Sequence, residues 1–305
     1  MDCGSLKKAA GNPPVKTMSY IERILSPSGI IRVLRENNLA LKQRYGQNLL
    51  INPDIASHII TAAGLCAHDT VLEIGPGLGA LTFSIARQVE TVIACEVDRG
   101  FARVLRQKAQ ELGFQNIRVV EADFLKADLS TLDGAGTPTT VISNFPYSIG
   151  IRAMIKIIEE YPRVCRIAGT VQEEIAQRMT AKPGAKNYSY VSVYLQYMAE
   201  IAVSMRNMSP SNFFPRPEVY SAVVVMVPKR GDFPVNPEFF KTVAKTGFSS
   251  RRKNLVNNLS SSDLGIDKDR VRAVVRESFK DERVRAEDLS VADFITLCKR
   301  LNPRF

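Results

Sequence analysis

Thr70-Val71-Leu72-Glu73-Ile74-Gly75-Pro76-Gly77-Leu78-Gly79-Ala80 runs from a β-rich apolar pentapeptide, through a glycine turn, into an amphipathic pattern over Ala80–Gln88. Glycines at such a strand-to-helix junction permit a tight turn and a close backbone approach to a ligand. The same alternation continues downstream. Thr91–Cys95 reads as a strand ending at Glu96, Phe101–Leu112 as a helix, Ile117–Val120 as a strand ending near Asp123, and Thr139–Ser143 as a fourth strand. Strands alternating with helices predict right-handed βαβ units and a parallel sheet covered on both faces. Further helices are expected at Ile149–Tyr161, Glu173–Thr180 and Ser192–Met198, with strands at Arg166–Val171 and Ile201–Met205. Ser221–Val227, β-rich and bounded by prolines, is expected to be the last strand.

Beyond Pro228 the pattern changes to helices alone, at Glu238–Thr246, Arg251–Leu259, Lys268–Phe279 and Val291–Leu301. The expected organisation is a disordered tail over 1–20, an α/β domain over 21–228 and a small all-α domain over 229–305. The chain of 305 residues carries a formal charge of +10, and residues 229–305, with 17 basic and 11 acidic side chains, supply six of those charges. Such an excess favours a polyanionic partner over none. Five scattered cysteines without a CxxC pair indicate neither a disulfide framework nor a zinc site, and free thiols in a cytoplasmic protein fit them best. With His58 and His68 as the only histidines, a histidine-based acid–base mechanism is disfavoured and no metal is expected. No apolar stretch approaches the roughly 20 residues of a membrane span, and the first seventeen residues lack a secretory apolar region.

The glycine turn, with Ala80 following, also satisfies the GxGxxG/A dinucleotide fingerprint, and Glu96 stands about twenty residues downstream, where a ribose-binding acid belongs. A nicotinamide enzyme is therefore one reading and a turn without a ligand another. Pro76 removes a backbone N–H from the loop that would cradle a pyrophosphate, and Glu73 brings a carboxylate to the same place. Negative charge repels phosphate and suits the ammonium and sulfonium charges of S-adenosylmethionine. In that reading Glu96 accepts hydrogen bonds from ribose hydroxyls, and Asp123 accepts one from an adenine amine.

Asn144-Phe145-Pro146-Tyr147 falls at the end of the fourth strand, where open α/β sheets bind ligands. By itself it is a proline turn, or a site for a flat, uncharged, hydrogen-bonding substrate such as a nucleobase. Beside a methyl donor it gains a specific use. The lone pair of an exocyclic adenine amine is delocalised into the ring. Acceptors at its two protons, the Asn144 side-chain oxygen and a backbone carbonyl of Phe145 or Pro146, would favour a tetrahedral nitrogen with a localised lone pair. Tyr147 would stack on the base, which must be flipped out or unpaired to enter.

Taken together, these motifs resemble the KsgA family of small-subunit ribosomal RNA adenine dimethyltransferases, from about residue 38 onward. The resemblance lies in Gln43–Leu50, in Glu73–Gly79 and in Asn144–Tyr147. It extends through Phe213-Phe214-Pro215-Arg216-Pro217-Glu218-Val219 with the following strand, and Phe248–Leu255 at the opening of the helical domain. It implies a Rossmann-like class I methyltransferase sheet with S-adenosylmethionine as cofactor. It implies cofactor contacts from Asn48, Leu50, Gly75, Glu96 and Asp123, catalysis from Asn144, and base stacking from Tyr147 and Phe213; Glu73, Gly77 and Asn144 are expected to join the cofactor contacts. It also implies two methylations of each of two adjacent adenosines in a hairpin loop near the 3′ end of small-subunit RNA, carried out by a monomer on the immature subunit.

The chain departs from the family pattern at Phe145, Ser148, Glu218 and Tyr220. Arg216 is expected to restore positive charge beside the last two. Arg251-Arg252-Lys253 reads either as a phosphate-binding run or as a solvated helix face. Two other functions share these features. One is a large-subunit adenine methyltransferase of the antibiotic-resistance type, and the other is an assembly or transcription factor in which methylation is secondary.

Overall fold

The computed structural model describes residues 15–42, 45–128, 136–260 and 265–302; most of the expected N-terminal tail, together with Gln43 and Arg44, lies outside them. The chain forms two compact units. The first comprises residues up to Glu173 together with Ala202–Pro228, and the second comprises Glu174–Ile201 together with the residues from Lys229 onward.

In the first unit, helices α1 (Val15–Ile24) and α2 (Pro27–Glu36) precede the short strand β1 (Leu49–Leu50). There follow α3 (Pro53–Ala63), β2 (Thr70–Ile74), α4 (Thr82–Ala86), β3 (Thr91–Glu96), α5 (Arg99–Glu111) and β4 (Ile117–Glu121). The chain then continues through β5 (Thr140–Asn144), α6 (Gly150–Glu160) and β6 (Arg166–Gln172), passes into the second unit through α7 (Glu173–Met179) and a further helix, and returns along β7 (Ala199–Met208), in the first unit from Ala202 on, to β8 (Phe213–Phe214) and β9 (Ser221–Pro228). Local chemistry sets several of these boundaries. Asn52 caps α3 by accepting from Asp54 N–H at 2.9 Å and Ile55 N–H at 3.1 Å, with Pro53 in the first turn and Gly64 closing the helix in the left-handed region. Asp98 caps α5 in the same manner.

The main sheet has seven strands in the order β4-β3-β2-β5-β6-β9-β7, and β1 pairs separately with β8. Strands β2 to β6 are mutually parallel where they pair, in agreement with the βαβ reading. Apart from the edge strand β4, which is partly exposed, they are buried on both faces, with Val71, Leu72, Val92, Ile93, Ala94, Val141 and Ile142 all inaccessible. The chain moves outward from β2 to β4 and returns to β5 on the other side of β2, so the topological switch point lies between β2 and β5. The sheet is mixed rather than wholly parallel, because β9 runs antiparallel to β6. The connection 209–220 holds one 3-10 turn and β8 but no helix. Without a crossover helix, the chain comes back against the direction of the parallel strands and inserts between β6 and β7.

The second unit contains α8 (Tyr190–Met198), α9 (Pro237–Gly247), α10 (Leu255–Ser260), α11 (Lys268–Phe279) and α12 (Val291–Leu301). Residues 174–201, expected within the α/β domain, group here instead. Aromatic packing explains this: Tyr197 stacks on Phe240 with centroids 3.7 Å apart, and the buried Tyr188 hydroxyl donates to the Leu289 carbonyl at 2.8 Å. The helix expected from Arg251 begins at Leu255. Asn254 accepts from Asn257 N–H at 2.9 Å and so caps it, which leaves Arg251, Arg252 and Lys253 in the preceding turn.

Cys95, Cys165 and Cys298 are free thiols. No helix among the described residues is long and apolar enough to cross a membrane. No described cluster of His, Cys, Asp or Glu could hold a metal ion.

Candidate functional site

A cleft of about 740 Å³, its open mouth included, lies at the carboxyl ends of the central strands. Its walls are the turn after β2, the end of β3, the tetrapeptide after β5, and residues 45–50 with β1. That is the switch-point crevice in which open α/β folds place their ligands. Gly75 (φ 67°) and Gly77 (φ 57°) both adopt left-handed backbone. A Cβ on Gly77 would come within 2.6 Å of Leu49 Cδ2, and one on Gly75 within 3.1 Å of Pro146 Cγ. The turn therefore touches the two other walls directly.

Two buried acids line the cleft. Burial pushes the Glu73 carboxyl up to about 8, although Thr82 Oγ1 donates to its Oε2 at 2.6 Å and pulls the other way; nearby Glu96 adds to the rise. Burial also raises Glu96, opposed by backbone donors that include Asp98 N–H at 2.8 Å to Oε1 and Gly77 N–H at 3.0 Å to Oε2. The second bond draws the glycine turn onto the acid at the end of β3. Among the described residues that line the cleft there is no Lys or Arg. Two carboxyls held above their ordinary range, with no cation to answer them, fit a ligand that brings its own positive charge.

The wall at 45–50 is fastened at three points. Lys42 Nζ lies 2.7 Å from the buried Asp98 carboxylate, Leu49 and Leu50 pair with Phe214 and Phe213, and the Asn48 carbonyl accepts from Asn144 Nδ2 at 2.6 Å. Burial pushes Asp98 upward, but the Lys42 ammonium and the two capping N–H groups outweigh it and hold the carboxyl below its usual value.

Around the tetrapeptide the polar atoms are specifically assigned. Asn144 Oδ1 accepts from Thr170 Oγ1, and since Nδ2 is taken by Asn48, the amide orientation is fixed with one oxygen lone pair still open. The Pro146 carbonyl accepts from Ile149 and Gly150 N–H, both at 3.0 Å, at the start of α6. The Phe145 carbonyl has no such partner among the described residues. Of the two backbone acceptors expected from the sequence, Phe145 is therefore the one available. The Phe145 ring is buried over Gly169, and its N–H donates to the Thr170 carbonyl at 3.2 Å. The Tyr147 hydroxyl lies 2.5 Å from Ser221 Oγ; burial raises its phenol and the serine bond lowers it.

Asn48, Leu50, Glu73, Gly75, Gly77, Glu96, Asn144, Phe145, Pro146 and Tyr147 thus converge on one cleft. Other expected residues do not line it. Asp123 stands near the end of β4, half-exposed, accepting from Leu125 N–H at 3.1 Å with Lys126 Nζ at 3.8 Å. Phe213, expected to stack on the base, is 2% exposed in a core cluster with Leu50, Met208 and Val223; its pairing with Leu50 carries the side chain inward. Arg216, Arg252 and Lys253 are exposed. Arg251 is committed to the fold of the second unit, its guanidinium donating to the Lys186 and Tyr188 carbonyls at 2.9 Å.

Sequence reading missed Thr170, Ser221 and the Lys42–Asp98 pair. The signal for Thr170 was a lone polar residue near the end of an apolar strand. For the others the contacts are too distant in sequence to leave one.

The ribosomal RNA adenine dimethylase family model matches residues 38–303. A small subunit methyltransferase A of Chlorobium phaeobacteroides is 36% identical over 270 residues, covering 88% of this chain and 97% of its own. That of Clostridioides difficile is 34% identical over 293 residues, covering 93% and 99%. Among solved structures, a dimethyladenosine transferase from Plasmodium falciparum is similar with a TM-score of 0.69 at 25% identity, covering 81% of this chain and 95% of that one. The 23S rRNA methyltransferase ErmE shares the fold, with a TM-score of 0.63 at 24% identity over 83% of this chain and 98% of its own. Motifs in order, the switch-point cleft and a match over nearly all of the described residues lead to one assignment: the chain belongs to the ribosomal RNA adenine dimethylase family.

Proposed function

We propose that the protein is an S-adenosylmethionine-dependent adenine-N6,N6-dimethyltransferase acting on two adjacent adenosines near the 3′ end of small-subunit ribosomal RNA, as part of ribosome biogenesis in the cytoplasm. The observation that carries this reading is the pair of open acceptors, Asn144 Oδ1 and the Phe145 carbonyl, beside a glycine-turn cleft lined by Glu73 and Glu96.

Bound in this cleft, S-adenosylmethionine supplies an electrophilic methyl group on a sulfonium centre. The chain's own residues do the rest. Glu73 and Glu96 gain a counter-charge, which draws both toward their ionised forms, and Glu96 retains lone pairs for ribose hydroxyls. Asn144 Oδ1 and the Phe145 carbonyl accept from the two amine protons and localise the nitrogen lone pair. Tyr147, held by Ser221, supports the base. No side-chain base is needed, because the amine proton becomes acidic once nitrogen is alkylated and passes to water. Holding nitrogen and methyl in line accounts for much of the rate. Asp123 for the adenine amine, and Arg216, Arg252 and Lys253 for RNA phosphates, complete the reading.

The test is methyl transfer from labelled cofactor to immature small subunits lacking the modification, with the products mapped to individual adenosines. Dimethylation of two neighbouring adenosines in the 3′-terminal hairpin is expected. Labelling confined to large-subunit RNA would replace this reading with the antibiotic-resistance one. Absence of labelling on any RNA, with binding retained, would favour an assembly factor.

A further inference from the structure

Strand β6 contributes more to the tetrapeptide than a neighbour in a sheet ordinarily does. Asn144 and Thr170 stand opposite each other in the parallel register of β5 and β6. The fully buried Thr170 grips the motif twice: its hydroxyl donates to Asn144 Oδ1, and its carbonyl accepts from Phe145 N–H at 3.2 Å. Gly169, one residue earlier, leaves the space that the Phe145 ring fills, since a Cβ there would lie 2.9 Å from Phe145 Cε2 and 2.0 Å from the Ser143 carbonyl oxygen.

We infer that Thr170 is a positioning residue for methyl transfer: its hydroxyl fixes the Asn144 amide so that the remaining lone pair of Oδ1 is aimed at the target amine. This rests on the adenine-N6 reading of the site. An amide held only through Nδ2, by the Asn48 carbonyl, can swing about that bond and present its oxygen over a wide arc. A second bond at the oxygen removes that freedom and occupies only one of two lone pairs. Thr170 makes no contact with the cleft itself, so it acts through Asn144. A threonine placed there solely to satisfy its own buried hydroxyl would affect stability without affecting the chemical step.

The experiment compares Thr170→Val, which keeps the shape and removes the donor, with Thr170→Ser, which keeps the donor. Thr170→Val is expected to lower the single-turnover rate by about 10- to 100-fold, with cofactor Kd within about twofold and a melting temperature within about 5 °C of the wild type. Thr170→Ser is expected to recover the rate to within about threefold. A readout independent of RNA is exchange of the Asn144 side-chain amide protons, assigned by their loss in Asn144→Asp. These should exchange faster in Thr170→Val and at the wild-type rate in Thr170→Ser. A wild-type rate in Thr170→Val would overturn the inference, as would equal impairment of both variants or unchanged amide exchange. If the wild-type enzyme methylates no adenine amine, the functional reading fails, while the amide-exchange result still reports on the clamp.

Discussion

Replacing Glu73 with glutamine should flatten the pH dependence of both stability and cofactor binding. Glu73 has an ordinary carboxyl pKa of 4.5 when the chain is unfolded and is pushed up to about 8 by burial in the fold. A carboxyl raised in this way contributes stability that is fully present below the unfolded pKa, declines through the interval between the two, and is lost as pH rises through the folded one. Integrating a single proton with those two values gives a loss of about 2 kcal/mol between pH 6 and pH 8. In a unit of this size that is a fall of about 4–8 °C in melting temperature. Cofactor affinity should run in the opposite direction. A cationic ligand favours the ionised form, so wild-type affinity should rise with pH up to about 8, by at most about tenfold per unit. Thermal unfolding in buffers from pH 6 to 8, with calorimetric titration at each pH, measures both. The glutamine variant keeps the acceptor for Thr82 Oγ1 and should show both trends reduced to the part that Glu96 contributes, with weaker binding at pH 8. Parallel pH profiles for the two proteins would refute the assignment of this linkage to Glu73.

Asn144→Ala should reduce single-turnover methyl transfer by about 10²- to 10³-fold, while calorimetry finds cofactor affinity changed by less than about fivefold. Gly169→Ala should cost about 2 kcal/mol or more in denaturant unfolding, because its Cβ would collide with the Ser143 carbonyl and the Phe145 ring. Arg251→Ala should cost about 1–2 kcal/mol in thermal stability through loss of its two carbonyl bonds. Arg252→Ala should leave stability unchanged and lower the salt slope of RNA binding by roughly 0.7–0.9.

The parallel half of the sheet was legible because strands buried on both faces are nearly continuous apolar runs, and the glycine turn and Asn144 tetrapeptide mark their ends. The direction and insertion of β9 were not, since a strand's partner depends on the connection that leads to it. Arg251 illustrates a different limit: a run of three cations looks uniform in sequence and all three are exposed, yet one of them binds carbonyls 63 and 65 residues away. Phe213 failed for a related reason. An aromatic in a functional loop can face the substrate or the core, and its pairing with Leu50 decides the matter. In the cleft, the place of Asn144 could be read from its position at a strand end. The choice of Phe145 over Pro146 depended on which carbonyl α6 had already used.

The hydrogen bond from Asn144 to the Asn48 carbonyl has a consequence for repeated turnover. Each dimethylated adenosine consumes two cofactor molecules, so a spent one must leave while the RNA is only half modified. The segment that walls the cleft is the one from which the Asn144 amide hangs, and through Leu49 and Leu50 it is zipped to Phe214 and Phe213, at the head of the loop that carries Arg216. In the proposed reaction, reloading that displaces this wall is expected to slacken the hold on the base in the same motion. Singly methylated adenosine should therefore escape between rounds, and its share of the product should rise as the donor becomes scarce.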